Sequence, residues 1–249
     1  MKLACGCCLA AKSAAAFAWP SEEENALGGG GCYLNSLESA KISKAFYSAA
    51  DADTAGFGSG NGDLDKFLGR ALVRAASELG INPAFGFYDD SDGPNAKASP
   101  EVDGNVPGTW GTVVFGRTLF KGELSNYDPS GMTILAIIAH EFGHIIQFKR
   151  GLREVLLEQQ STVKRLELHA DVLAGYYLGR RKAQTPSLSF LSAGEVFHRI
   201  GDTNFNSPGH HGTPDERANA SQIGFTQGLN EASDLEQVIQ IGINHVTQL

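Results

Sequence analysis

The residues with the clearest chemistry are two histidines and a glutamate close together in the chain, His140, Glu141 and His144. Two histidines at this spacing project from one face of a helix, where both imidazoles can bind one zinc ion. Glu141 lies about 100° further round the helix, so its carboxylate can reach a water molecule beside the metal and act as a general base. Bound zinc lowers the pKa of such a water to about 7. The motif therefore predicts a hydrolytic zinc site.

A catalytic zinc site of this kind needs a third ligand from the protein. Glu167 is the preferred candidate, because small apolar residues share its helix face and its carboxylate is expected to point inward, where it requires a cation. Asp171, one turn further along that face, is predicted to accept the free ring N–H of a ligating histidine, with a structural ion pair as the alternative. His169, on the opposite side, is expected to pack or to lie at the surface. The other candidates for the third ligand are Glu154, Glu158 and Glu195.

The elements that must position these residues are mostly helices. Apolar periodicity, caps and glycine stop signals predict a helix over residues 128–150 that carries the motif, and one over residues 163–181 that carries Glu167. Residues 84–88 and 112–115 are predicted strands, separated by a long loop. The sequence thus predicts an α+β fold, a mainly helical body with a small β-sheet and the motif helix at its centre. Further helices are predicted over residues 34–49, 63–79, 189–200, 214–227 and 235–246.

Composition limits the partners of the protein. The chain has 249 residues, of which 42% are hydrophobic, and a net charge of −8. Its length and apolar content suffice for one domain with a sizeable core. Lysines and arginines are scattered rather than clustered, which argues against nucleic acid and anionic membrane surfaces as partners. No apolar run reaches the length of a membrane span, so no integral membrane segment is predicted.

The amino-terminal region differs in composition from the rest. Residues 1–18 combine a lysine, a mostly apolar stretch and an Ala16-Phe17-Ala18 cleavage pattern, which predicts a signal peptide and a secreted or periplasmic protein. An amino-terminal extension of a cytoplasmic protein is the alternative. Residues 19–33 are predicted to be a linker, and residues 34–249 the zinc-binding domain. Because the other three cysteines lie within residues 1–18, Cys32 is predicted to be a free thiol.

A resemblance to a known family can be stated on these motifs. With the block His140–His144, then Glu167-Leu168-His169-Ala170-Asp171, the chain resembles the gluzincin metallopeptidases and is most similar to the bacterial neutral zinc metallopeptidases. The resemblance implies a zincin-like metallopeptidase domain with one zinc ion, bound by the two histidines and Glu167, with Glu141 as base. The metzincin branch is excluded, because Gln147 and Arg150 replace the glycine and the histidine of its longer motif.

A second match to that family is His211-Gly212-Thr213, followed by Arg217. By the resemblance, His211 lies near the zinc and donates a hydrogen bond to the developing oxyanion, while Arg217 holds this segment in place. From the residues alone, His210 and His211 fit equally well a solvated loop that precedes a capped helix. Both interpretations remain open.

The substrate side can be predicted only in outline. The strand formed by Thr112, Val113, Val114 and Phe115 is the expected edge strand that pairs with a peptide substrate. The sequence predicts a zinc-dependent metalloendopeptidase that cleaves a peptide or protein substrate. One alternative is a zinc-containing protein that binds peptides or a partner without cleaving them. Another is a structural or inhibitory domain whose zinc site is closed by His211 as fourth ligand.

Overall fold

The computed structural model describes residues 32–34, 36–37, 47–54 and 56–249. The signal peptide predicted for residues 1–18 lies outside the described residues, as does most of the predicted linker. Within the described part, four short strands and eight α-helices form an α+β arrangement, and none of these helices is long and apolar enough to cross a bilayer. The strands are β1 (Tyr47–Ser48), β2 (Ala84–Tyr88), β3 (Ala96–Ser99) and β4 (Thr112–Gly116). The helices are α1 (Gly62–Glu78), α2 (Arg117–Gly122), α3 (Met132–Arg150), α4 (Leu152–Leu157), α5 (Lys164–Gln184), α6 (Leu191–Arg199), α7 (Pro214–Leu229) and α8 (Leu235–Thr247).

The four strands form one mixed sheet in the order β1-β2-β4-β3. β2 and β4 pair in parallel, and both are buried along their whole length. The prediction that Thr112, Val113, Val114 and Phe115 form an edge strand is therefore wrong. β2 and β3 flank β4 on both sides and occupy its backbone hydrogen-bonding groups. Five phenylalanine rings on and beside the sheet pack against one another, with the centroids of neighbouring rings 5.5 to 6.4 Å apart: Phe57, Phe85, Phe87, Phe115 and Phe120.

Helix α3 is the central helix, and every residue from Met132 to Gln147 is buried. A helix that is apolar nearly all round has no face suited to water, so it takes the middle of the domain. Asp128 caps its first turn, accepting hydrogen bonds from the backbone N–H groups of Met132 (2.8 Å) and Thr133 (3.1 Å). The helix begins at Met132 rather than at residue 128, because the intervening residues form the turn that the cap requires. Gly151 ends it in the left-handed conformation, as predicted.

Helices α5 and α7 approach each other closely through glycines on both. A Cβ atom at Gly175 would lie 2.0 Å from the carbonyl oxygen of Ser221, and a Cβ atom at Gly224 would lie 1.8 Å from another backbone carbonyl. Gly179 and Gly228, one turn further along each helix, also face backbone atoms of the partner helix. Because glycine has no side chain, the two backbones can touch, and this contact brings the first turns of α7 beside those of α5.

The largest departure from expectation lies before α1. A helix is predicted over residues 34–49, but Leu34 is hydrogen-bonded to Ala98 of β3, and Tyr47–Ser48 form β1. Residues 38–46 of that prediction lie outside the described residues. Strand β3 itself falls in the predicted loop, because two alanines, a lysine and a serine carry little strand propensity. Its pairing with β4 and its parallel bridge to Tyr33 hold it extended.

Candidate metal centre

The site lies where α3 packs against the first turns of α5. His140 and His144 share one face of α3, Glu167 lies in the first turn of α5, and all three are buried. The Nε2 atoms of the two histidines are 3.1 Å apart, and His140 Nε2 is also 3.1 Å from Glu167 Oε2. Gly143 permits this approach, since a Cβ atom there would lie 3.0 Å from the backbone of Ala170. The structure thus brings together the three residues predicted as metal ligands.

His140 is oriented by Asp171, the residue predicted for this role. His140 Nδ1 lies 2.7 Å from Asp171 Oδ1. Arg217 of α7 donates Nε–H to Asp171 Oδ2 and Nη2–H to Oδ1, both over 2.8 Å, in the bidentate geometry that suits a carboxylate. With its Nδ1–H donated to Asp171, His140 directs the lone pair of Nε2 towards the centre of the site. Arg217, expected to hold only its own segment, thus fixes the carboxylate that orients His140.

His144 is oriented by a chain of polar groups that sequence reasoning missed. His144 Nδ1 lies 2.8 Å from Gln147 Oε1. The Gln147 amide nitrogen donates to the Leu166 carbonyl (2.8 Å) and lies 3.1 Å from His169 Nδ1, and His169 Nε2 lies 3.2 Å from the Ile239 carbonyl. A carbonyl can only accept, so each link has one direction and His144 Nδ1 carries a hydrogen. His169 is fully buried rather than at the surface, and burial lowers its pKa to about 4.

Both histidines therefore direct Nε2 towards each other and towards the Glu167 carboxylate. Three electron-pair donors at these distances repel one another unless a cation lies among them. A proton is one such cation: burial lowers the pKa of His140, but Asp171 and Glu167 outweigh burial and raise that pKa to about 9. A metal ion is the other cation that would relieve this repulsion. Donor atoms of Cys32, His140, His144 and Glu167 all lie within 4.8 Å of one another, so the group can hold a metal ion.

Glu141 lies next to this cluster but is not part of it. Its carboxylate is buried, and its Oε2 has no hydrogen-bond partner among the described residues. Burial raises the pKa of Glu141, while the two neighbouring histidines lower it. Together with His140, Glu141 lines a cavity of about 370 Å³. A buried carboxylate oxygen without a partner at the wall of a cavity can accept a proton from a molecule bound there.

His211 lines the same cavity, from the loop between α6 and α7. Its backbone N–H donates to Asp202 Oδ2 over 3.0 Å, and His210 Nδ1 lies 2.7 Å from Asp202 Oδ1. His211 Nδ1 is 3.0 Å from the same carboxylate but is not aligned for a hydrogen bond. Burial and the Arg217 charge lower the pKa of His211, which favours the neutral ring. Since His210 is buried and His211 faces the cavity, a fully solvated loop does not describe this segment.

Cys32 is the unexpected member of the cluster. Its backbone N–H donates to Glu167 Oε1 over 3.2 Å, and its carbonyl accepts from the N–H of Ala98 over 2.7 Å. Burial, then the carboxylates of Glu141 and Glu167, raise the pKa of the thiol, so without a cation it stays protonated. The sequence predicts that Cys32 lies in a linker, but the residue lies against β3 and the metal ligands. The one signal in the sequence is that Cys32 is the sole cysteine beyond residue 18.

Other candidates from the sequence lie away from the site. Glu154, Glu158 and Glu195 are exposed, and none belongs to the cluster. β4 does not border the cavity, whereas β3 reaches its wall at Ala96. β3, an outer strand of the sheet, is therefore the strand whose edge a molecule in the cavity can meet.

Comparisons of the chain with family models, with curated proteins and with solved structures found no match. The gluzincin resemblance rests on the motifs named above. The case for a function rests on the geometry of the metal centre.

Proposed function

We propose that this protein is a zinc-dependent metalloendopeptidase with a zincin-like fold. One observation carries the proposal: the Nε2 atoms of two buried imidazoles and the Glu167 carboxylate converge at a cavity wall, beside the buried Glu141 carboxylate, whose Oε2 has no hydrogen-bond partner among the described residues. In a purely structural ion-pair network, the buried carboxylate oxygens are expected to have hydrogen-bond partners. A general base next to a cation site, in contrast, requires an oxygen that is free to accept a proton. A secreted or periplasmic location remains a prediction from residues 1–18.

Zinc is the metal that suits this donor set. Two histidines and one glutamate are a common ligand set of catalytic zinc sites, whereas Mg²⁺ and Ca²⁺ prefer oxygen ligands. When bound, zinc supplies a water with a pKa of about 7 and a Lewis acid for the substrate carbonyl. Asp171 and Gln147 hold the rings of His140 and His144 so that both Nε2 atoms would face a bound ion.

The residues around the cavity then have separate roles. Glu141 accepts a proton from the attacking water and delivers it to the leaving amine. The neutral ring of His211 can donate an N–H to the oxygen that becomes negative as the carbonyl is attacked. The outer edge of β3, which borders the cavity at Ala96, offers backbone groups with which an extended peptide can pair.

A closed metal site in a protein that binds peptides or a partner without cleaving them is the second candidate. The observation that favours it is Cys32, because a thiolate with two imidazoles and a carboxylate completes a four-ligand set. The sequence suggested His211 as a closing ligand, but His211 does not belong to the cluster. The two candidate functions differ in whether Glu141 acts as a general base.

The deciding experiment compares the full-length chain with its Glu141→Gln variant, each with and without Cys32→Ala. Metal content is measured by atomic spectroscopy and cleavage with a quenched peptide library. We expect about one zinc per chain throughout, and a loss of at least about 10²-fold in cleavage with Glu141→Gln. Zinc without cleavage in any background supports the second candidate. Absence of zinc from protein purified without chelators refutes both.

The third ligand is tested with a matched pair of glutamates. Glu167→Gln should lose zinc because it removes the charge of a ligand in the cluster. Glu158→Gln makes the same chemical change at an exposed position and should keep it. The reverse result would contradict the ligand assignment.

A further inference from the structure

Cys32 is close enough to the metal ligands to be one of them. Its thiol is the fourth donor in the group with His140, His144 and Glu167, whose donor atoms lie within 4.8 Å of one another. The backbone N–H of Cys32 is anchored on Glu167 Oε1, so the residue is held at the site by more than its side chain. One sulfur, two nitrogens and one oxygen make a complete tetrahedral set. A thiolate in that set occupies the position that a water molecule needs.

The backbone of the same segment occupies the edge strand beside the cavity. Ala98 of β3 donates to the carbonyl of Cys32 over 2.7 Å and accepts from the N–H of Leu34 over 2.9 Å, forming a parallel bridge with Tyr33. These are the edge groups with which an extended substrate would pair. The segment therefore occupies both the fourth coordination position at the metal site and the edge of β3 with which a peptide would pair.

Side chains hold the segment in place. The Tyr33 ring meets Phe148 of α3 edge-on at a centroid separation of 5.6 Å, and the Arg153 guanidinium lies 4.8 Å from the Tyr33 ring centroid. Leu34 packs in a small apolar cluster with Tyr88 and Val114. All these contacts are noncovalent, and displacing the segment breaks no bond of the sheet between β1, β2, β3 and β4.

We infer that residues 32–34 hold the protein in a latent form, with the Cys32 thiolate as fourth metal ligand. The inference rests on the proposed function and adds its regulation. The thiol binds by releasing its proton to solvent water, and on release the sulfur takes a proton back from water as the fourth position opens. Activation is then displacement of residues 32–34 from β3 and from the metal, by cleavage of the chain or by a reagent that captures the thiol.

The test replaces zinc with Co²⁺, whose absorption reports its ligands directly. The full chain is prepared with Cys5→Ser, Cys7→Ser and Cys8→Ser, so that Cys32 is the one thiol present. We expect a thiolate-to-cobalt charge-transfer band in the near ultraviolet, and its loss in the same chain with Cys32→Ala while one cobalt stays bound. Cobalt bound without the band overturns the inference and leaves the proposed function standing. No metal in either protein overturns both.

Latency is measured on the zinc forms of the same two chains. A minor open state is populated at about 0.1 to 10%, so Cys32→Ala should raise peptide cleavage by about tenfold or more. Tyr33→Ala keeps the thiol but weakens its anchor, and should raise cleavage and reduce the cobalt band together. Leu229→Ala, an exposed leucine at the end of α7, is the control and should change neither. Loss of the metal in Cys32→Ala, or the band without any gain in cleavage, overturns the inference by making Cys32 a permanent structural ligand.

Discussion

Gln147 Oε1 accepts a hydrogen bond from His144 Nδ1 over 2.8 Å, one turn further along the same helix. The Leu166 carbonyl fixes the direction of this bond, because it accepts from the Gln147 amide nitrogen over 2.8 Å and so leaves Oε1 facing His144. The same amide nitrogen lies 3.1 Å from His169 Nδ1, and His169 Nε2 lies 3.2 Å from the Ile239 carbonyl, so the network extends to α8. The same glutamine excludes the metzincin motif in the sequence.

Gln147→Ala should weaken zinc binding by about 10- to 100-fold, the usual effect of removing a group that orients a ligating histidine. Gln147→Glu keeps an oxygen that can accept from His144 Nδ1, so this variant should lose less zinc affinity than Gln147→Ala. Affinity is measured by competition with a chelator of known strength. Gln222→Ala, on the exposed side of α7, removes a glutamine away from the site and should leave affinity unchanged. Wild-type affinity in Gln147→Ala would contradict the proposed chain.

Asp171 and Arg217 should behave as one unit in stability but not in metal binding. Asp171→Asn removes the bidentate counter-ion of the buried Arg217 guanidinium and leaves it, among the described residues, only Glu167, at 4.0 Å, which should cost about 3–5 kcal/mol of unfolding free energy. The double variant Asp171→Asn with Arg217→Met removes both charges and should recover part of that loss. His140 still lacks its charged acceptor there, so zinc affinity should stay low. Denaturant unfolding of metal-free protein measures stability, and strictly additive losses would refute the coupling.

Glycines between α5 and α7 should not tolerate a methyl group. Gly175→Ala and Gly224→Ala each place a Cβ within 2.0 Å of a backbone oxygen, so the helices must separate, at a cost of about 1–3 kcal/mol. Arg217 would move with α7 and zinc affinity should fall as well. Gly194→Ala is the matched control, since a Cβ there meets nothing within 4 Å on helix α6. That change should be neutral or stabilising by up to about 1 kcal/mol, through helix propensity.

The metal-free protein should lose stability as the pH rises above neutral. The folded-state pKa of His140 is raised to about 9 by its carboxylate partners, above the ordinary value of about 6.5. The stabilisation from its proton is complete below about pH 6.5 and is lost as the pH rises towards 9, with a slope of at most about 1.4 kcal/mol per pH unit.

Bound metal replaces that proton, so the zinc form should not show the slope. Denaturant unfolding at several pH values, with and without chelator, measures the difference. His140→Asn should flatten the curve of the metal-free protein. His198→Asn, at a largely exposed position, should not. Equal slopes with and without metal would mean that proton and metal do not compete at this site.

The parts of the site that follow from local periodicity could be predicted. His140, Glu141 and His144 lie on one helix, and helix geometry alone fixes which of them share a face. The inward direction of Glu167 and Asp171 follows from the small apolar residues around them, and the α+β composition follows from the lengths of the periodic segments. The bounds of α3 and α5 were close to expectation because glycine, proline and capping residues act over a few residues.

Tertiary structure decided the rest, because those features join parts of the chain that are far apart in sequence. The order of strands puts β3 rather than β4 at the cavity, and a strand's neighbours cannot be read from its own residues. Arg217 reaches Asp171 only because glycines let α7 touch α5. Cys32 becomes a fourth donor only when its backbone pairs with Ala98. The sequence determined the chemistry of the metal centre, whereas packing determined what orients and covers it.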